Sequence, residues 1–359
     1  MEKVVNKNKL ESFYKSKKVF VTGHTGFKGS WLVALLNEIG ATVKGYALAP
    51  AYENGLFSIL PTGYCDSIIA DIRDKDKLAE EIISFQPDYI FHLAAQPLVR
   101  KSYKIPSETF EVNVIGTANL LEVVKKLPNK CNVVIITTDK VYQNKEQDIL
   151  YKETDRLGGY DPYSASKACT EIVVNSFRSS FFNKKEFASH KKNLVSARAG
   201  NVIGGGDFSE DRIIPDIVNA LKNNEKINVR NPNAVRPWQH VLEPLTGYLL
   251  LGGLMNENKF LSDSYNFGPS QNDHIKVEQL VDIAIKIWGS GERENKLVGN
   301  EPHEAGLLKL DISLAKKELG WQPKLQSANA VEWTIDWYKQ DQNTLLDYTI
   351  KQMNDFFLL

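Results

Sequence analysis

Tyr163 and Lys167 stand four residues apart, so on a helix they share a face, one turn from each other. A lysine ammonium so placed lowers the phenol's pKa, and the phenolate can then accept a hydroxyl proton near neutral pH. As a bare spacing the pair is weak, because many helices carry it on a solvated face. The second reactive group is Thr137-Thr138-Asp139-Lys140. Thr138 would hydrogen-bond a substrate oxygen. Asp139 and Lys140 add an acid and a second base. Oxidising a carbon to a ketone acidifies the neighbouring C–H, so a base can remove that proton while an acid protonates a leaving hydroxyl, and water is lost. Lys140 can serve as that base only if burial or the nearby Lys167 keeps it neutral, at least transiently. Alternatively, Asp139 and Lys140 simply pair at the start of a loop.

Two elements must position these groups. The apolar run Val133-Val134-Ile135-Ile136 predicts a buried parallel strand ending at Thr137. Asp161-Pro162 reads as an N-cap followed by proline at the first helical position, opening a helix from Pro162 to about Phe182. A strand end facing a helix start is where α/β proteins place their chemistry.

A hydride acceptor is implied further upstream. Strand Val19-Phe20-Val21 leads into Thr22-Gly23-His24-Thr25-Gly26-Phe27-Lys28-Gly29-Ser30, then a helical pattern from Trp31. Strand, glycine-rich turn and helix together signal dinucleotide binding. Gly23 permits the tight turn, Gly26 lets the backbone approach a pyrophosphate, and Gly29 allows close helix–strand packing. The spacing is G-x-x-G-x-x-G, the form seen in extended short-chain dehydrogenases. No acid stands at the tip of the second strand, Val43–Leu48, and no arginine cluster replaces it. That position therefore leaves NAD versus NADP open. A third strand, Ile68–Asp74, ends in acid; Asp71 either reaches an adenine amino group or caps the next helix, Lys75–Phe85. The fourth strand exits through Ala94 and Ala95, small enough for close cofactor approach. A helix is expected over 107–126, with Asn113 solvent-facing or bonded to backbone. The lysine-rich stretch 183–193 reads as a solvated loop or helix end.

Totals narrow the class. The 359 residues carry 44 Lys plus Arg against 44 Asp plus Glu, which gives no global charge argument for nucleic acid or an anionic membrane. Three scattered cysteines, Cys65, Cys131 and Cys169, suggest neither a disulfide framework nor a metal site, and fit a reducing cytosol. No signal-peptide core or membrane-length apolar run is present, so a cytoplasmic enzyme is expected. Alternating strands and helices to residue 200 predict an α/β, Rossmann-type doubly wound parallel sheet with a smaller mixed α/β C-terminal substrate domain. The expected division is 1–200 plus 241–272 for the cofactor, and 201–240 plus 273–359 for the substrate.

Several long motifs carry a resemblance. Gly-His-Thr-Gly-Phe-Lys-Gly-Ser, Ala-Ala-Gln-Pro-Leu-Val-Arg, Gly-Gly-Tyr-Asp-Pro-Tyr-Ser and Arg-Pro-Trp-Gln-His-Val-Leu-Glu-Pro, with Thr137–Lys140, Arg198–Asp207 and Pro302–Asp311, resemble the CDP-glucose 4,6-dehydratases, a group of extended short-chain dehydrogenase/reductases. The resemblance implies NAD as cofactor and CDP-glucose as substrate. It also implies deoxysugar formation for bacterial surface polysaccharide (lipopolysaccharide O-antigen), and a homodimer or dimer of dimers built on helices 107–126 and 162–182. It makes Asp139 the acid for the C6 hydroxyl. The dTDP-glucose branch carries Asp-Glu where this chain has Asp139-Lys140, so the C5 base is a lysine or lies elsewhere. The candidate catalytic set is Thr138, Asp139, Lys140, Tyr163 and Lys167. The cofactor set is Gly23, Thr25, Gly26, Phe27, Lys28, Gly29, Asp71, Ile72, Ala94, Ala95, Gln96 and Thr137, with Tyr163 and Lys167. Candidate substrate ligands are Gln96, Arg100, Asn201, Arg212, Arg236 and His303; Arg212 and Arg236 suit a diphosphate because guanidinium matches phosphate oxygens bidentately. The alternative activity is another nucleotide-sugar dehydratase or a 4-epimerase on the same fold. Asp139-Lys140 argues against the epimerase.

Overall fold

A computed structural model describes residues 5–257, 261–295 and 307–359. Its centre is a seven-stranded sheet in which every pairing is parallel. The strands are β1 (Lys18–Thr22), β2 (Thr42–Ala47), β3 (Asp66–Ile69), β4 (Tyr89–His92), β5 (Cys131–Thr137), β7 (Lys192–Ala199) and the strand Ser264–Phe267. A two-residue strand, β6 (Leu150–Tyr151), lies outside the sheet and pairs with Lys309–Leu310. Across the sheet the order is Ser264–Phe267, β7, β5, β4, β1, β2, β3. The order reverses between β1 and β4, which opens the crevice that doubly wound sheets use for nucleotides.

Successive strand residues point to opposite faces and feed two cores. Val19, Val21, Val134, Ile136, Val195 and Ala197 pack on one side with α1 (Lys7–Tyr14), α2 (Phe27–Glu38) and the helix Leu242–Leu254. Phe20, Ile90, Val133, Ile135 and Leu194 pack on the other against Leu78, Ile82, Leu120, Val124 and Val174. Burial on both faces explains why β5 reads as a continuous apolar run.

Several expectations shift. Strand β3 ends at Ile69, so Asp71 lies in the following turn, and Asp74, not Asp71, caps the helix Lys75–Phe85 through the backbone N–H of Lys77. Helix α2 begins at Phe27, four residues before the apolar pattern at Trp31. The helix expected over 107–126 runs from Pro106 to Val124 with a π-helical turn at Glu111–Ile115. The stretch 183–193 is not wholly solvated: Lys192 starts β7, is buried, and donates to the carbonyls of Leu127, Asn129 and His190.

Candidate active site

The tip of β5 and the start of the helix Pro162–Ser180 meet at one end of the sheet. Asp161 caps that helix twice, accepting from the Ser164 N–H at 2.9 Å and the Ser164 hydroxyl at 2.6 Å, with Pro162 at the first turn. This fixes Tyr163 and Lys167 on its inner face, both buried. Lys167 Nζ donates to the Ile136 carbonyl at 3.2 Å, which ties the helix to the strand carrying Thr137 and Thr138. Thr138 caps a single 3-10 turn, Asp139–Val141, and its hydroxyl donates to Asp139 Oδ1 at 2.9 Å. The same hydroxyl accepts from the Lys140 N–H at 3.4 Å. Asp139 is 1% exposed. Lys140 lies 3.9 Å from Asp139 Oδ1 with a partly open side chain, so the pairing foreseen as the alternative is present.

These groups face a cavity of about 700 Å³. Phe27, Lys28, Arg100, Thr137, Thr138, Asp139, Lys140, Tyr163, Asn201, Arg212 and Arg236 all line it. Arg230 lines it too, a cation the sequence analysis passed over because nothing local distinguishes it from a surface arginine. Arg212 bonds Asp207 at 3.0 Å, and Arg100 bonds Asp211 at 3.4 Å. Asn201 adopts a left-handed backbone (φ 51°), which asparagine tolerates, and its amide reaches Asp139 Oδ2 at 3.4 Å.

Other candidates stand apart from the cavity. Gln96 spends its side chain within its own loop, bonding the N–H and carbonyl of Leu98 and the Thr109 hydroxyl. Ile72 is buried against Gly116. The Asp71 carboxylate is held by the Arg73 guanidinium at 2.6 Å, which lowers its pKa. Thr25 donates to the Leu48 carbonyl, and the Ala94 N–H to the Thr22 hydroxyl. His303 lies outside the described residues.

The electrostatics depart from one expectation. Burial pushes the Tyr163 pKa up to about 12, with the neighbouring Thr138 hydroxyl and the Arg212 cation acting against it. Burial brings Lys167 down to about 8, against the Glu171 carboxylate, which raises it. Lys28 falls further, to about 7, through burial and the neighbouring cations Lys167 and Arg212.

Three supporting groups emerge, of which sequence reasoning missed the last two. Asn113 is buried rather than solvent-facing, and the expected bonds to backbone are present: it accepts from the Gln96 N–H at 2.8 Å and donates to the Gln96 carbonyl and also to the Ser166 hydroxyl. Glu171 continues the Tyr163, Lys167 face by one more turn. Its carboxylate takes two bonds of 2.9 Å from Arg198 and further bonds from Thr137 and Ser196. The i, i+4, i+8 spacing was a signal for Glu171 that could have been read. Gly200 sits against Asp139 through the fold alone, with no local signal.

The glycine turn fits a dinucleotide. Gly23 has φ +75°, and a Cβ there would lie 2.7 Å from the Ala94 nitrogen. A Cβ on Gly29 would lie 2.0 Å from the Gly23 carbonyl oxygen. No side chain caps α2 at Gly26, which leaves its N-terminus open to a pyrophosphate. Among the described residues no cluster suited to a metal is found.

Comparison with known proteins agrees with this geometry. The chain is 48% identical to the CDP-glucose 4,6-dehydratase of Salmonella typhimurium over 331 residues, covering 92% of both chains. It is 25% identical to the dTDP-glucose 4,6-dehydratase of the same organism, covering 89% of this chain and 92% of that one. Its fold matches the dTDP-glucose 4,6-dehydratase of Streptomyces venezuelae, solved with NAD bound, at a TM-score of 0.77 and 22% identity, over 92% and 99% of the two chains. An epimerase of Methanothermobacter thermautotrophicus matches at 0.81 and 21%, over 95% and 97%. The GDP-mannose 4,6 dehydratase family matches residues 20–334, and the chain belongs to that family of extended short-chain dehydrogenase/reductases.

Proposed function

We propose that this chain is an NAD-dependent CDP-glucose 4,6-dehydratase, a lyase that converts CDP-glucose to CDP-4-dehydro-6-deoxyglucose. The observation that carries it is a buried acid, Asp139, bonded to Thr138 and sharing one cavity with Tyr163. An alcohol dehydrogenase or an epimerase has no step for that acid to perform. The nucleotide and the sugar are taken from the relative that is 48% identical over nearly the full length.

Bound NAD supplies a hydride acceptor for C4, a positive charge, and the same hydride for return to C6. Tyr163 takes the C4 hydroxyl proton, and Thr138 hydrogen-bonds the same oxygen. Asp139 protonates the C6 hydroxyl, which leaves as water. Once Asp139 carries the acid proton, the ion pair that holds Lys140 charged is lost, and Lys140, at the same strand tip, then removes the C5 proton and returns it. Lys167 holds Tyr163 and the strand in register through the Ile136 carbonyl. Arg212, Arg236 and Arg100 hold the diphosphate. The uncapped end of α2, with Gly23, Gly26, Gly29, Thr25, Phe27 and Lys28, cradles the cofactor pyrophosphate. Asp71, Ile72, Ala94 and Ala95 would hold the rest of the cofactor. The substrate lies between the sheet-bearing part, 1–200 plus 241–272, and the remainder, 201–240 plus 273–359.

A cytoplasmic homodimer is part of the same reading. Helices Pro106–Val124 and Pro162–Ser180 lie side by side, and Ile115 and Ile172 are more than half exposed on them. Exposed branched side chains on two adjacent helices suit a four-helix contact with a second copy. Among the described residues no helix is long and apolar enough to cross a membrane.

The experiment is to incubate the protein and NAD with CDP-, dTDP-, UDP- and GDP-sugars and follow product mass. Loss of one water from CDP-glucose without accumulation of NADH is expected. An unchanged mass with a new epimer, or no turnover of any of them, overturns the reading.

A further inference from the structure

On the reading just given, Asp139 surrenders one proton in each turnover, when the C6 hydroxyl leaves as water. That proton must be replaced before the next elimination. The hydride moves from C4 to C6, and the C5 proton leaves and comes back, so neither replaces it. The Thr138 hydroxyl donates to Asp139 Oδ1 at 2.9 Å, but its own oxygen accepts from the Lys140 N–H, and an amide does not replace a proton that the hydroxyl would give up.

Apart from the large cavity, Asp139 borders a second void, of about 10 Å³, whose other walls include Gly200, Gln239, Gly268 and His274. That volume is near the least that holds one water, and a buried water also needs two to four polar partners. The walls supply them. Gln239 is 1% exposed, and its amide nitrogen donates to the Gly200 and Phe267 carbonyls, both at 3.0 Å. Two carbonyl partners fix which end of the amide is the nitrogen. Among the described residues the Gln239 Oε1 atom is left buried with no hydrogen-bond partner, an acceptor that calls for a donor. Asp139 Oδ2 is little better served, with the Asn201 amide at 3.4 Å. Two acceptors on one void of this size select a small molecule with two hydrogens to give, which is water. Its oxygen then accepts from the third polar wall, the His274 ring.

His274 is half-buried, and the exposed Gln271 is another wall of the void, so this side opens toward solvent. Burial lowers the His274 pKa, so the ring is neutral at pH 7. A neutral imidazole can give a proton from one nitrogen and take one up at the other. The charged groups near the ring are Lys309, Asp273 and Asp148, and Lys309 is paired with Asp148 at 2.6 Å.

We propose that this void holds one water that returns a proton to Asp139 from solvent by way of His274, with Gln239 as the residue that positions it. In the transfer an Asp139 O–H bond forms as a water O–H bond breaks. The water regains a proton from the His274 ring, whose N–H bond breaks, and the other ring nitrogen takes one from solvent. Tyr163 discharges the proton gained from the C4 hydroxyl through the large cavity when product leaves. One proton enters and one leaves in each turnover. The competing donor is Lys140, whose Nζ lies 3.9 Å from Asp139 Oδ1, beyond hydrogen-bond reach.

A crystal structure of the NAD-loaded enzyme tests the site without a variant. A water within hydrogen-bond reach of both Gln239 Oε1 and Asp139 Oδ2 is expected, and a dry void overturns the proposal. His274→Ala tests the route. In a single turnover with CDP-glucose, reduced cofactor should form at the wild-type rate, which shows that the site is intact. In steady state kcat should fall about tenfold or more, and added imidazole should restore it at least in part. A lost packing contact would not respond to imidazole. Unchanged kcat would assign the transfer to Lys140 or the large cavity, and a fall that imidazole leaves untouched would make His274 structural. Either overturns the route and leaves the dehydratase reading intact. Absence of dehydrated product from the wild-type enzyme overturns that reading itself.

Discussion

Asp139 and Gly200 interlock: a Cβ built on Gly200 would lie 2.0 Å from the Asp139 carboxylate. The glycine belongs to the segment leaving β7, and the acid to the segment leaving β5. Packing of two neighbouring strand exits thus decides where the acid sits. Gly200→Ala should leave cofactor binding unchanged, destabilise the protein by about 1–3 kcal/mol, and lower kcat about 100-fold by displacing Asp139. Thermal melts, NADH titration and steady-state kinetics check this. Unchanged kcat would mean the carboxylate position is not critical.

Asp139→Asn keeps the shape of the site and removes the acid. Oxidation at C4 should survive, so bound NADH should build up after mixing with substrate. Its decay should be slower by about 100- to 1000-fold. Stopped-flow absorbance reads both phases, and dehydration at the wild-type rate would remove Asp139 from its role.

Tyr163→Phe should abolish the first step. The loss should reach about 100- to 10000-fold in kcat, with no NADH phase at all. A normal NADH phase would require a different base at C4.

Arg236 lines the same cavity as the catalytic strand tip. Arg236→Ala should raise the KM for the nucleotide sugar about 10- to 100-fold and change kcat little, because a diphosphate contact is made equally in ground and transition states. A matching fall in kcat with KM unchanged would assign Arg236 to the chemistry instead.

Glu243 gives a pH dependence of stability. It opens the helix Leu242–Leu254, is fully buried, and accepts the N–H groups of Lys324 and Leu325 at 2.9 and 2.6 Å. Burial raises its pKa to about 7. Between the unfolded value near 4.5 and about 7, the native state therefore binds the proton and the unfolded state does not. Stability must fall as pH rises through that window, by on the order of 3 kcal/mol from this group, and must recover as pH falls. Glu243→Gln should flatten this part of the profile. Denaturant melts of both proteins at pH 5.5 and pH 8 test it, and identical pH profiles would contradict it.

Local features were legible in the sequence. The Asp161-Pro162 cap, the glycine turn and the apolar run of β5 each depend on neighbours along the chain, and each specified its element. What was not legible arises between distant segments. Asn113 looks like an ordinary polar helix residue until the Gln96 loop and Ser166 are brought to it. Lys192 looks solvated until three carbonyls, from Leu127, Asn129 and His190, converge on it. Helical spacing puts Tyr163 and Lys167 on one face, but nothing local signals that the Ile136 carbonyl on the strand takes a bond from the ammonium.

The π-helical turn at Glu111–Ile115 has a consequence for chain length. Such a turn holds one more residue than regular winding allows. Removing the extra residue would restore regular winding with both halves close to their present rotation, whereas removing one from the regular turn that follows, Gly116–Asn119, would rotate one half of the helix against the other by about 100°. Either Asn113 would leave the Gln96 loop and Ser166, or Leu120, Leu121 and Val124 would leave the core. Most surface helices absorb a single-residue deletion by fraying at an end. This one has both halves anchored, so its residue count is as tightly constrained as the identity of Asn113.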